Sequence, residues 1–107
     1  DNVAVTDNID EDLTPQSFLL RQNYPNPFNL GTTIEYSLTQ PAKVNLAIYD
    51  LTGRLINTLV DYDQPADRFT VHWNGIGQRG TPVSAGVYFC RLQTAGHNRT
   101  IKMLLLK

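Results

Sequence analysis

Apolar and polar residues alternate with a period of two through most of this chain, in short runs punctuated by glycine, proline and asparagine. Ile34, Tyr36 and Leu38 share one face of the first clear run, which Gln40-Pro41 ends. Val44, Leu46 and Ile48 share a face of residues 43–49. Asp50-Leu51-Thr52-Gly53 then has the form of a tight hairpin turn, with Gly53 free to take positive φ. Residues 54–60 read as the return strand, and residues 61–67 as a polar loop holding Pro65. Phe69, Val71 and Trp73 fall on one face of the next run. A glycine-rich loop follows over residues 74–80 and leads into Thr81-Pro82. Residues 86–92 form another strand, residues 95–98 a turn, and residues 99–106 the last strand. Ahead of all these, Phe18-Leu19-Leu20 suits a short first edge strand.

The pattern gives about seven strands, turn signals about every 8–12 residues and no convincing helix. That predicts an all-β fold, an immunoglobulin-like antiparallel β-sandwich of two sheets. Tyr88 stands two residues before Cys90 on the penultimate strand, the spacing of a tyrosine corner, whose phenol bonds back to upstream backbone. Cys90 is the single cysteine, so an internal disulfide is excluded, and its place on a core strand makes it a small buried hydrophobe. The tryptophan lies on a different strand from that of antibody domains, so the likeness is one of architecture.

One segment fits no regular element. In Asn23-Tyr24-Pro25-Asn26-Pro27-Phe28-Asn29 two prolines two residues apart exclude a helix interior or a central strand. Proline biases the preceding residue toward extended geometry, so the segment reads as a short, stiff, extended lead-in. Tyr24 and Phe28 are its expected aromatic anchors, and Asn23, Asn26 and Asn29 can bond backbone groups that no ladder satisfies. Residues 1–17 before it are polar, acidic and aperiodic. They read as a flexible linker from an upstream domain, with the packed domain at 18–107. The chain starts without Met or a basic-then-apolar leader, so its first residue reads as a cut point in a longer precursor.

Charge and length narrow the functions. The 107 residues, 41% apolar, suit one domain with a modest core, and no run nears the roughly 20 apolar residues of a membrane helix. The net charge of −1 hides an acidic start: Asp1, Asp7, Asp10, Glu11 and Asp12 precede any basic residue. The body has a mild basic excess, but its Lys and Arg are scattered and lack the footprint that nucleic-acid binding requires. His72 faces solvent by alternation and His97 falls in a turn, and neither has a nucleophile or carboxylate nearby in sequence. No set of residues takes catalytic roles, so the chain reads as a non-enzyme without a cofactor. Asp61, Asp63 and Asp67 offer calcium-type ligands but lack a punctuating glycine and a closing Glu, so a solvated hairpin tip is the simpler reading. Gly75, Gly77 and Gly80 lack the lysine and following helix of a phosphate loop. Asn98-Arg99-Thr100 matches a glycosylation acceptor, a short motif common by chance.

Several segments together resemble one known family. The Asn23–Asn29 segment followed by Thr32-Thr33-Ile34 and Tyr36-Ser37-Leu38 is similar to the entry of the C-terminal sorting domains of type IX secretion cargo. So are Ile48-Tyr49-Asp50-Leu51-Thr52-Gly53, Trp73-Asn74-Gly75 with Gly80, Pro82-Val83 and Ser84-Ala85-Gly86-Val87-Tyr88, and the terminal Lys102-Met103-Leu104-Leu105-Leu106-Lys107. Leu30-Gly31, Asn74 and Cys90 depart from the usual pattern. The same profile is shared with the immunoglobulin-like domain of flagellar hook-capping proteins.

The resemblance implies a sorting signal for an upstream cargo in the same precursor. The implied partners are an outer-membrane translocon and a sortase-like processing protease. The implied route runs through the periplasm and outer membrane of a Gram-negative-type bacterium, to the medium or the cell surface. By likeness, translocon recognition centres on Gly86, Tyr88, Lys102 and Lys107. A terminal strand at a sheet edge suits that role, since its free backbone groups can accept an added strand while lysines keep it from aggregating. The alternative is a structural or carbohydrate-binding accessory sandwich, for which Tyr49 and Phe89 are the outward aromatics, or a flagellar hook-capping-type domain.

Overall fold

The computed structural model describes residues 18–107; the acidic segment read as a linker, residues 1–17, lies outside them. Seven strands follow in order: β1 Phe18–Leu20, β2 Thr32–Leu38, β3 Ala42–Asp50, β4 Leu55–Gln64, β5 Asp67–Trp73, β6 Gly86–Thr94 and β7 His97–Leu105. They form a three-stranded sheet ordered β1-β2-β5 and a four-stranded sheet ordered β4-β3-β6-β7. Every strand pairing is antiparallel. The immunoglobulin-like β-sandwich expected from the alternation is the fold observed.

On β2, β3 and β6 the inward face is the one the period-two pattern assigns. Ile34, Tyr36 and Leu38 on β2, Val44, Leu46 and Ile48 on β3, and Cys90 and Leu92 on β6 are all buried. Trp73 at the end of β5 packs tilted against Phe28, with ring centroids 5.8 Å apart, and edge-on against Tyr88 at 5.5 Å. Its indole N–H donates to the Ile76 carbonyl at 3.0 Å, so the ring is buried with its polar atom satisfied. The buried Tyr36 hydroxyl likewise donates to Gln64 Oε1 at 2.6 Å, joining β2 of one sheet to β4 of the other.

Two loops expected from composition prove to be strand. β4 runs on through Asp61, Tyr62 and Asp63 to Gln64, leaving only Pro65 and Ala66 between it and β5. Asp61, Tyr62 and Asp63 pair with Asn45, Val44 and Lys43, and as an edge strand β4 can carry charge that a central strand could not. At the other hairpin the turn is Ala95-Gly96 alone. His97 and Asn98 already pair with Thr94 and Gln93, so His97 opens β7 instead of sitting in a turn. Gly96 takes the positive φ of 79° that lets so short a connection close.

Candidate functional site

The terminal strand and what lies around it hold the residues expected to carry recognition. β6 and β7 pair along their whole length, setting Gly86 opposite Leu105, Tyr88 opposite Met103 and Phe89 opposite Lys102. Gly86, Tyr88 and Lys102 are thus brought onto adjoining strands, while Lys107 lies exposed just past the end of β7. The three differ in access. Gly86 has φ of 146°, a conformation that side-chain-bearing residues rarely adopt, and it opens β6. Tyr88 points inward at 6% exposure, its hydroxyl donating to the Ser84 carbonyl at 2.6 Å, the tyrosine corner expected from its spacing. Lys102 is exposed.

The outer edge of β7 is closed over half its length. Phe28 pairs with Leu105 as an isolated parallel bridge: the Phe28 N–H donates to the Leu104 carbonyl at 3.0 Å, and Leu106 N–H to the Phe28 carbonyl at 2.7 Å. Asn26 Oδ1 accepts the Leu104 N–H at 2.9 Å, and Gln22 Nε2 donates to the Lys102 carbonyl at 2.8 Å. Leu104 and Lys102 direct their backbone groups outward, and by alternation so do Thr100 and Asn98. Among the described residues no strand or loop backbone pairs with the edge at Thr100 and Asn98. The edge expected to be free along its whole length is thus capped in part by the proline segment and the residue before it. Asn26, between the two prolines, was the available signal.

The segment itself departs from a stiff extended lead-in. It bends at Pro25, Asn26 and Pro27, and the Tyr24–Pro25 and Asn26–Pro27 peptide bonds are both cis. Phe28 is an anchor at 2% exposure, but the Tyr24 side chain is not, standing 79% exposed. Tyr24 is held by its backbone instead, exchanging bonds of 3.0 and 2.9 Å with Thr33. Asn23 is buried and donates to Thr32 Oγ1 at 2.9 Å and to the Pro25 carbonyl at 3.2 Å, while Asn29 is exposed.

Other chemistry-bearing residues are spread through the fold. Burial pushes the Cys90 thiol up to about 12, so at neutral pH it is a core hydrophobe with almost no thiolate. His72 lies over Gly31, where a β-carbon would collide with its ring, and His97 faces Phe18 at 6.2 Å. Asp61 and Asp63 point outward from β4, and Asp67 opens β5 with its carboxylate on the Arg68 N–H at 2.7 Å. Among the described residues no three His, Cys, Asp or Glu side chains gather as a metal site would require. In the glycine-rich loop the N–H groups of Gly77, Gln78 and Gly80 donate to carbonyls at 2.9 Å, so they do not point into a phosphate cradle.

The sequence profile of the FlgD Ig-like domain matches residues 29–97. The chain belongs to that family. The matched region takes in β2 to β6, Gly86 and Tyr88, and stops short of Lys102, Lys107 and most of the entry segment. Among solved structures, dimeric latent PorU from Porphyromonas gingivalis is similar over 88% of this chain and 10% of that one, at 21% identity and a TM-score of 0.64. PorZ of the same organism, described as an essential bacterial surface component of the type IX secretion system, matches 82% of this chain and 11% of its own, at 26% identity and a TM-score of 0.56. The chain therefore spans about a tenth of the proteins it resembles in structure. No curated protein sequence matches it.

Proposed function

We propose that residues 18–107 are a non-catalytic sorting domain that an outer-membrane secretion machinery of type IX kind recognises on a larger secreted or surface-bound protein. A processing protease would then act at the junction with the cargo. The observation that carries this reading is the β7 edge. It is the terminal strand of a sandwich like the one found within PorZ, a surface component of such a system. Among the described residues nothing pairs with its outward backbone at Thr100 and Asn98, which suits strand addition. Lys102 flanks the open stretch, as a charge does on an edge guarded against self-association.

The test fuses residues 18–107 to the C-terminus of a periplasm-targeted reporter in a host with type IX secretion. The reporter is expected outside the cell, while the same reporter without the domain stays in the periplasm. Thr100→Pro refines the test. It removes one outward N–H from the edge without removing a β6–β7 ladder bond, so it should block export with the fold retained. Equal export with and without the domain would overturn the reading. The family match favours a second reading, a flagellar hook-capping-type domain. Loss of hook assembly, with unchanged secretion, on deleting the parent gene would decide for it.

A further inference from the structure

The face of the four-stranded sheet turned away from the core carries side chains unusual for a solvated surface. Register and alternation place Leu55, Tyr49 and Phe89 in one cross-strand row over β4, β3 and β6. Val87 and Leu104, themselves a pair, lie beside Phe89 on the same face. Leu55 and Leu104 are 40% and 37% exposed, and the other three are half-buried. In an antiparallel sheet with one face in water these positions are ordinarily polar.

Set into this apolar surface is Arg91. Its Nη2 donates to Tyr49 Oη at 2.7 Å, and its guanidinium carbon lies 4.6 Å from the Tyr49 ring centroid. The Arg91 Nε–H is buried without an acceptor. Lys102 is the diagonal neighbour across the β6–β7 pair, since it opposes Phe89. The ion pairs among the described residues all use Glu35 or Asp50, so neither cation meets a carboxylate. A guanidinium held against an aromatic ring loses little further freedom on binding, which suits pairing with a carboxylate through its outer nitrogens. Arginine and aromatics bounded by aliphatic side chains are the composition of an interface centre.

We propose that this face, centred on Arg91 with Tyr49, Phe89 and Lys102, is a protein-docking surface whose partner presents a carboxylate ringed by apolar side chains. It deepens the sorting reading, on which it rests, by giving the same recognition partner a second contact beside the β7 edge. Charge decides the class of partner. Asp61 and Asp63 project from β4 on this same face, opposite Asn45 and Lys43, and would repel a uniformly anionic bilayer or nucleic acid. A protein surface can set its carboxylate at Arg91 and avoid them.

The reporter fusion tests this with Arg91→Glu, Arg91→Gln and Lys102→Glu, each checked by thermal melting. Export is expected to fall about tenfold or more in Arg91→Glu, as for a buried interface arginine, and less in the other two. Arg91→Gln and the exposed Lys102→Glu carry the test if Arg91→Glu melts early. Normal export of all three, with the wild-type fusion exported and the Thr100→Pro fusion retained, would overturn this proposal and leave the sorting reading standing. Retention of the wild-type fusion itself would instead sink the sorting reading. Flotation of the wild-type domain with phosphatidylglycerol vesicles, lost in Arg91→Glu, would assign the face to lipid and overturn the proposal as well.

Discussion

Single side chains join the two sheets of this sandwich, and their chemistry sets how its stability responds to pH. Tyr36 carries its hydroxyl into the core because Gln64 accepts it. Burial still pushes the phenol up to about 12, although the Gln64 bond pulls the other way. Tyr36→Phe keeps the ring and strands the Gln64 carbonyl, so urea unfolding should show a loss of about 1–3 kcal/mol. Tyr36 and Cys90 are both neutral in the fold and both raised. Their contribution is whole below the ordinary phenol and thiol values and is lost as pH climbs from about 9 toward about 12. Thermal melts over that window should show the decline, and it should be shallower in Cys90→Ala. Asp50 has the opposite sign. Its carboxylate accepts the Thr52 hydroxyl at 2.6 Å and the Thr52 and Arg54 N–H groups at 2.9 and 3.0 Å, which lowers its pKa. That support is present above the ordinary carboxylate value and is lost as pH falls below it, through the lowered value that Asp50 has in the fold. Asp50→Asn should therefore melt earlier than wild type at neutral pH, with the gap closing as pH falls below the ordinary carboxylate range.

At the scale of elements, the segment from Gln22 to Phe28 works as a cap on β7. It supplies side-chain amides and one backbone bridge to a strand that, among the described residues, pairs with no other strand on that side. Asn26→Ala removes the acceptor for the Leu104 N–H and the long 3.5 Å bond from Asn26 Nδ2 to the Lys102 carbonyl, and little else, since Asn26 is exposed. Hydrogen exchange at Leu104 should speed up by more than tenfold, while amides on the central strands β3 and β6 keep their rates. Unchanged exchange at Leu104 would mean the cap does not hold the edge. This element also shows where sequence pattern gives out. Alternation on β2, β3 and β6 is enforced by one buried face, so those strands and their inward residues could be read directly. β4 hid its second half because an edge strand tolerates Asp61 and Asp63, and the composition of a strand and a loop converge there. The Asn26–Leu104 and Phe28–Leu106 contacts join residues 78 positions apart, and no local pattern carries a pairing at that distance.

Across the whole molecule, Phe28 is where these pieces meet. Its ring lies against Trp73, the last residue of β5 in one sheet, and Trp73 in turn meets Tyr88 on β6 of the other. Its backbone closes the β7 edge through Leu104 and Leu106, so one residue ties the core, the entry segment and the terminal strand together. A ring this deeply buried costs about 3–5 kcal/mol when cut back to alanine, against a total stability of about 5–15 kcal/mol for a domain. Phe28→Ala should therefore lower the urea midpoint globally and also raise exchange at Leu104 and Leu106. Asn26→Ala should produce only the local change. Comparing the two separates edge exposure from loss of the fold. If recognition needs only an open β7 edge, the Asn26→Ala fusion is exported at least as well as wild type and the Phe28→Ala fusion is not. Export falling equally in both, with Asn26→Ala still folded, would show instead that the capped edge, with the proline segment in place, is the form the receptor reads.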